Sequence, residues 1–152
     1  QGDPIKWMAS QAGALYEWHG VRLTLSSPGG SEIRINARHD FMGTSQWNGA
    51  HAPAKAARMG WQRDHIYTCG HRHMAAYNAV IMNNGEHVAH AIRVGTYKVY
   101  DDYADAKGFP AENLPAALTI VNPRPATEAG RVMVFWDVDE GASYLRWLRE
   151  RK

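Results

Sequence analysis

The segment from Ile33 to Cys69 constrains the fold most, because it reads as strand, helix, strand over a length that fits a parallel crossover. Ile33, Ile35 and Ala37 alternate with Arg34 and Asn36 at the two-residue period of a half-buried strand, which ends at Arg38-His39. Residues 40–51, DFMGTSQWNGAH, contain Gly43, Asn48-Gly49 and small polar residues without a period, and read as a surface loop of functional length. A helix follows from about Pro53 to Met59, and then a short apolar run, His65 to Cys69, bounded by Gly70. The predicted unit is a βαβ crossover, and open sheets built this way bind ligands at the carboxyl ends of their strands.

The flanks fit around that unit. Asp3-Pro4 is a good helix start, and Ile5, Met8, Ala12, Leu15 and Tyr16 recur near the helical period, so a first helix of about three to four turns is expected, stopped by Gly20. Val21, Leu23 and Leu25 alternate up to Pro28-Gly29-Gly30 and predict a strand and turn before the Ile33 strand. Tyr77, Ala79 and Ile81, the turn Asn83-Asn84-Gly85-Glu86, and Val88, Ala89 and Ile92 predict a hairpin, with Tyr97 and Val99 as its extension. The polar stretch 101–117 reads as a short helix and a loop, Val132 to Trp136 as a strand, and Gly141 to Arg151 as a terminal helix with Tyr144, Leu145 and Leu148 inward and its arginines outward.

A chain of 152 residues without repeat or linker is expected to form a single domain over 1–152. The formal charge of +2 admits a phosphate-bearing partner but lacks the dense Lys/Arg footprint of a dedicated nucleic-acid binder. One cysteine, Cys69, cannot form an internal disulfide, and its apolar setting predicts a buried, inert thiol in a reducing, cytoplasmic compartment. No run of 18 apolar residues and no leader pattern is present, so no membrane partner is expected. The chain opens Gln1-Gly2-Asp3 without an initiator Met, which leads us to expect an upstream part. Neither a Gly-x-Ser-x-Gly elbow nor a Walker-type loop occurs, which removes serine-hydrolase and nucleotide-triphosphatase readings.

Among eight histidines, two sit together in CGHRH, residues 69–73. At a strand end, His71 and His73 would point to the same side because side chains alternate, and neutral imidazole is the commonest ligand of zinc-like ions. His39 ends a neighbouring predicted strand and raises the count to three, while His51 in NGAHAP is a fourth candidate for a metal or a substrate phosphate. His19, His65, His87 and His90 have no comparable setting and read as solvated or core-edge side chains. Asp101-Asp102 reads as a solvated turn. Tyr144, Arg146, Trp147 and Arg149 have the composition of a nucleic-acid stacking patch, or of an amphipathic helix packed on the sheet.

With these pieces, the chain resembles the C-terminal half of a calcineurin-like metallophosphoesterase, in the form found in phage or prophage members. Its GHRH matches the family's Gly-His-x-His, and NARHDFMGTSQWNGAHAPAKAA resembles the preceding histidine motif. The resemblance implies an α/β (α+β) fold, half of a β-sandwich flanked by helices, with a parallel βαβ around the histidine motifs and antiparallel strands toward the C-terminus. It implies His39, His71 and His73 as ligands of divalent ions, two in the complete protein, drawn from manganese, zinc, iron or nickel, with His51 the rival of His39. His51 and Asn48 would orient a phosphate oxygen or the leaving group. The family's upstream Asp-x-His, Gly-Asp-x-x-Asp and Gly-Asn-His-Asp/Glu motifs are absent from this chain.

The expectation is therefore a metal-dependent phosphoesterase, acting on phosphomonoesters or phosphodiesters, nucleic acid included, of which this chain supplies the histidine half. The carboxylate half would come from an N-terminal part, either the upstream portion of a larger domain of which this chain is a fragment or a separate chain of a split enzyme. An unpaired sheet edge predicts a homo-oligomer or strand-exchanged dimer. The alternative is a non-catalytic metal-binding or oligomerising remnant domain.

Overall fold

The computed structural model describes residues 3–98, 102–108 and 114–151. In chain order it runs α1 (Pro4–Gln11), β1 (Gly20–Ser26), β2 (Glu32–Arg38), α2 (His51–Met59), β3 (Ile66–Cys69), β4 (Ala76–Met82), β5 (His87–Arg93), α3 (Asp102–Ala106), β6 (Leu118–Val121), β7 (Val132–Phe135) and α4 (Val138–Glu150), with 3-10 turns at Asn83–Gly85 and Glu128–Gly130. The architecture is mixed α/β, with one five-stranded sheet of order β1-β2-β3-β5-β4 and a two-stranded sheet β6-β7.

The expected crossover is present: β2 pairs with β3 in parallel through α2, and β3 pairs with β5 in parallel. Antiparallel hairpins flank this parallel centre, β1 on β2 at one edge and β4 on β5 at the other. Each face of the sheet then buries its own set of side chains. On one face the small residues Ala52, Ala54 and Ala57 of α2 let the helix settle against Tyr67, Cys69, Val80, Ala89 and Ala91. On the other face Ile33, Ile66 and Ile92 meet Val132 together with Val121, Val134 and Trp136, so the small sheet forms the second layer. Cys69 is buried, as its apolar setting predicts. At the edge, Asp64 is fully buried and Arg22 of β1 reaches it with Nε at 2.8 Å, while Asn36 Nδ2 lies 3.3 Å away, tying β1 and β2 to the entry of β3.

Four expectations change. The first helix stops at Gln11, not near Gly20, because Gly13 takes a left-handed φ of 62° and Ala14 N–H and Gly13 N–H close back on the carbonyls of Ala9 and Ser10. Leu15 and Tyr16 lie beyond it, and Gly20 opens β1 instead. Helix α2 begins at His51, two residues before Pro53, whose missing N–H falls in the first turn where no intrahelical partner exists. Tyr97 does not extend the hairpin, since β5 ends at Arg93, and Val99 and Asp101 lie outside the described residues. The pair His71 and His73 lies past the end of β3, in a bend, not on the strand. The terminal helix agrees with its pattern: Tyr144, Leu145 and Leu148 are half-buried, and Arg146, Arg149 and Arg151 are exposed.

Ile92, 2% exposed, packs in the cluster between the large sheet and the small one. Truncation to Ala removes buried methylenes and leaves a cavity, so Ile92→Ala is predicted to lower the unfolding free energy by about 3 kcal/mol, read from the midpoint of a urea titration.

Candidate functional site

The register of the sheet lines up one residue from each strand: Gly20 opposite Arg38, Arg38 opposite Cys69, Cys69 opposite Arg93, and Arg93 opposite Ala76. The carboxyl ends of the three parallel strands are therefore flush, and the residues that follow them emerge side by side. Gly70 N–H donates to the His39 carbonyl at 3.3 Å, joining the two histidine-bearing segments directly. The rings of His39 and His71 lie 4.5 Å apart, centroid to centroid, in an edge arrangement.

His71 and His73 both adopt left-handed backbone, with φ of 70° and 53°. Such conformations cost energy in a residue with a Cβ and persist where the surroundings impose them. Arg72 N–H donates to the Gly70 carbonyl at 2.9 Å, tightening this turn. The two-residue alternation of a strand thus does not govern His71 and His73. His39 and His71 are brought together, both exposed, and His73 stands two residues further along the same exposed turn.

Arg93 holds this end of the sheet. Its side chain is 2% exposed, yet it donates Nε to the Gly49 carbonyl at 2.8 Å and Nη1 to the Gly70 carbonyl at 3.1 Å, and its Nη2 lies 3.0 Å from Asp40 Oδ1. One guanidinium thus joins the beginning and end of the 40–50 loop to the turn that carries His71. Asp40 also accepts from Arg72 Nε at 3.0 Å and from its own neighbour's N–H, that of Phe41, at 2.8 Å. Burial alone would raise the Asp40 carboxyl, but the Arg72 hydrogen bond, the Arg93 charge and the Phe41 N–H outweigh it and hold its pKa below the ordinary value.

The remainder of the loop is equally tied. Ser45 Oγ accepts from the N–H groups of Trp47 and Asn48, and Asn48 Oδ1 accepts from Ala50 N–H at 3.0 Å. Asn48 is exposed, and with its oxygen so engaged it offers a ligand its amide nitrogen. Gly49 packs so tightly that an added Cβ would stand 2.6 Å from Met74 Sδ, which sets the loop against the segment just after His73. His51, half-buried at the start of α2, faces Gly43, where an added Cβ would stand 3.3 Å from the ring.

A second constellation lies at the opposite end of the sheet. His65, His87 and Glu128 bring one ligand atom each to within 4.8 Å of one another, and these three could hold a metal ion. Sequence spacing gives His65 and His87 no such setting; each precedes or opens a strand, and Glu128 joins them only through the 3-10 turn before β7. His87 Nε2 meets the Asp64 carbonyl at 3.1 Å, which leaves Nδ1 as its ligand atom, the arrangement common around metal-bound histidine. His65 is less free, because its Nδ1 accepts from Arg34 N–H at 3.0 Å, and Glu128 is gripped by the Arg131 guanidinium. Ion binding there would have to displace both contacts. His90 is buried beside this group, with Nδ1 2.8 Å from the Tyr77 hydroxyl.

Burial, with the nearby charges of His87, Arg34 and Arg131, pushes the His65 pKa down from 6.5 to about 4. Between those two values the unfolded chain carries a proton at this position that the folded protein lacks, so stability is lost as pH falls from about 6.5 toward 4, by on the order of 2 kcal/mol. Denaturation midpoints measured across that range are expected to fall, and His65→Asn to flatten the slope, leaving the share of His90, whose pKa burial and the His87 charge also lower.

Removing Arg93 would strip the half-buried Asp40 carboxylate and two backbone carbonyls of their donor. Arg93→Ala is predicted to cost about 3 to 5 kcal/mol by chemical denaturation, and Arg93→Lys to recover only part, since an ammonium cannot span the three acceptors in the same fork.

On the C-terminal helix, Tyr144 stacks on Trp147 at 5.6 Å between centroids, and Arg151 lies over the Trp147 ring at 4.0 Å. Among the described residues no helix is long and apolar enough to cross a membrane. Compared with known proteins, the chain matches no family model, no curated protein and no solved structure.

Proposed function

We propose that this chain is the histidine half of a metal-dependent phosphoesterase. The reading is carried by one observation: His39 and His71, at the flush carboxyl ends of adjacent parallel strands, hold their rings 4.5 Å apart. The sequence resemblance of GHRH and of the 36–57 stretch to metallophosphoesterase motifs supports it. The donor chemistry fits a divalent ion of the zinc or manganese kind, with imidazoles on a turn whose left-handed backbone is fixed in advance. His39, His71 and His73 would be the ligands, and His51 and Asn48 would orient a phosphate oxygen or the leaving group. A bound divalent ion supplies Lewis acidity toward a phosphoryl oxygen.

The carboxylate side of such a site is the limit. Among the described residues Asp40 is an acidic group that follows His39 directly, and Arg72 and Arg93 already neutralise it. Two ions need anionic ligands to offset their mutual repulsion, so the full complement would come from a second chain or an upstream part. β1 offers the place where another chain would add, as an edge strand with five of its seven residues exposed.

A second reading is a non-catalytic ion-binding domain, favoured by the three donors gathered at His65, His87 and Glu128. Calorimetric titration with manganese and zinc separates the two. The phosphoesterase reading expects weak binding that disappears in His39→Ala and His71→Ala and persists in His87→Ala; the reverse pattern supports the second reading. With manganese present, little or no hydrolysis of p-nitrophenyl phosphate or its bis ester is expected from the chain alone, and robust turnover would refute its incompleteness.

A further inference from the structure

We propose that the cavity between α2 and the end of β2 binds a small aromatic carboxylate, with Arg38 as the partner of the carboxylate group and Trp61 with two methionines as the wall for the ring. No histidine lines this cavity, and the proposal stands independently of the phosphoesterase reading. The cavity is open and about 500 Å³ in volume, a size that suits a small organic ligand. Arg38 comes to it from β2, Met42 from the loop that follows, and Lys55 and Met59 from α2, where they lie one turn apart on the same side; Trp61 stands just beyond the helix, and Tyr67 comes from β3.

The charges of the lining are one-sided. Among the described residues it holds the cations Arg38 and Lys55 and no carboxylate, and neither cation has a carboxylate partner elsewhere. Asp40 and Asp64, which bracket most of the lining residues in the chain, are already bound, the first by Arg72 and Arg93 and the second by Arg22. The Arg38 guanidinium is held in place, since its Nε donates to Asn36 Oδ1 at 3.2 Å and its Cζ lies 5.4 Å from the centre of the Phe41 ring. Its two Nη groups remain as a fork, the geometry that matches a carboxylate. The Tyr67 hydroxyl accepts from Asp64 N–H at 3.3 Å, which leaves its own proton to donate. The apolar part of the lining is equally unmet by protein: Met42, Met59 and Trp61 are 92%, 77% and 84% exposed, and they gather around one cavity where scattered surface hydrophobes would not. Methionine sulfur and an indole both make favourable contacts with an aromatic ring. A small inorganic anion would satisfy the cations and leave this wall wet, and an uncharged apolar ligand would do the reverse. An aromatic carboxylate meets both sets of groups at once.

The test is calorimetric titration with 2-naphthoate, its uncharged counterpart 2-naphthamide, and acetate, in EDTA so that no metal ion is offered to the carboxylate, for wild type, Arg38→Gln, Lys55→Met, Trp61→Ala and His71→Ala. The expected result is saturable binding of naphthoate, about tenfold tighter than the amide because the charged group gains a charge-assisted hydrogen-bonded pair. Arg38→Gln should erase that advantage and Lys55→Met, at an exposed helical position, should reduce it. Trp61→Ala should weaken naphthoate and naphthamide alike, and His71→Ala should change nothing. Acetate binding as tightly as naphthoate reduces the cavity to a bare anion contact and overturns the proposal. The absence of saturable naphthoate binding overturns it too, as do an advantage that survives both Arg38→Gln and Lys55→Met, an affinity untouched by Trp61→Ala, and a loss of binding in His71→Ala. A wild-type dimer that Trp61→Ala converts to monomer, by light scattering, assigns the cavity to a contact between copies of the chain and likewise overturns it.

Discussion

A charged side chain with almost no access to solvent organises the carboxyl end of the sheet. Arg93 ends β5, where the buried run from Val88 to Ile92, apolar but for His90, would lead one to expect another hydrophobe. Burying a guanidinium is costly unless its donors are met, and here they are met by Asp40 and by the carbonyls of Gly49 and Gly70. The cost is offset by what the contacts connect: two loops that share no secondary structure are referred to one rigid strand. The ring contact of His39 with His71 depends on that reference, since both residues lie in segments that Arg93 touches through a neighbour, Asp40 in one case and Gly70 in the other.

Much of the framework was legible in the sequence, because its signals are local. The alternation at Ile33–Ala37, the Asn83-Asn84-Gly85 turn and the glycine closing the Ile66–Cys69 run are each read within a few residues, and together they give β2, β3 and both hairpins. The end of α1 is not legible because the apolar period continues past Gly13 to Tyr16, and periodicity carries no sign of the left-handed cap that Gly13 forms. Strand β6 is four residues long and follows a polar stretch, and only the packing of Val121 against the Ile33 cluster gives it a place.

The candidate site divides in the same way. The histidines announce themselves through spacing, but the groups that hold them do not. Asp40 is a common loop residue, and an Arg at a strand end is most often solvated; only their meeting across the sheet reveals the pair. Glu128 is remote in the chain from both His65 and His87, so no local pattern marks it. The geometry of His71 and His73 was hidden for a different reason: a Gly-His-x-His string can continue a strand or turn off it, and the left-handed backbone belongs to the turn.

The flush margin of Gly20, Arg38, Cys69, Arg93 and Ala76 makes the site a property of strand register. Alternation puts Tyr67 and Cys69 against α2 and Ile66 against the isoleucines of the opposite face. A slip of β3 by one residue would exchange those faces and also carry His71 out of line with His39. The crossover from β2 to β3 can therefore vary in length in the exposed parts of its loops, whereas the four residues of β3 admit neither insertion nor deletion. Selection on the histidines is in this sense also selection on a strand that contains none of them.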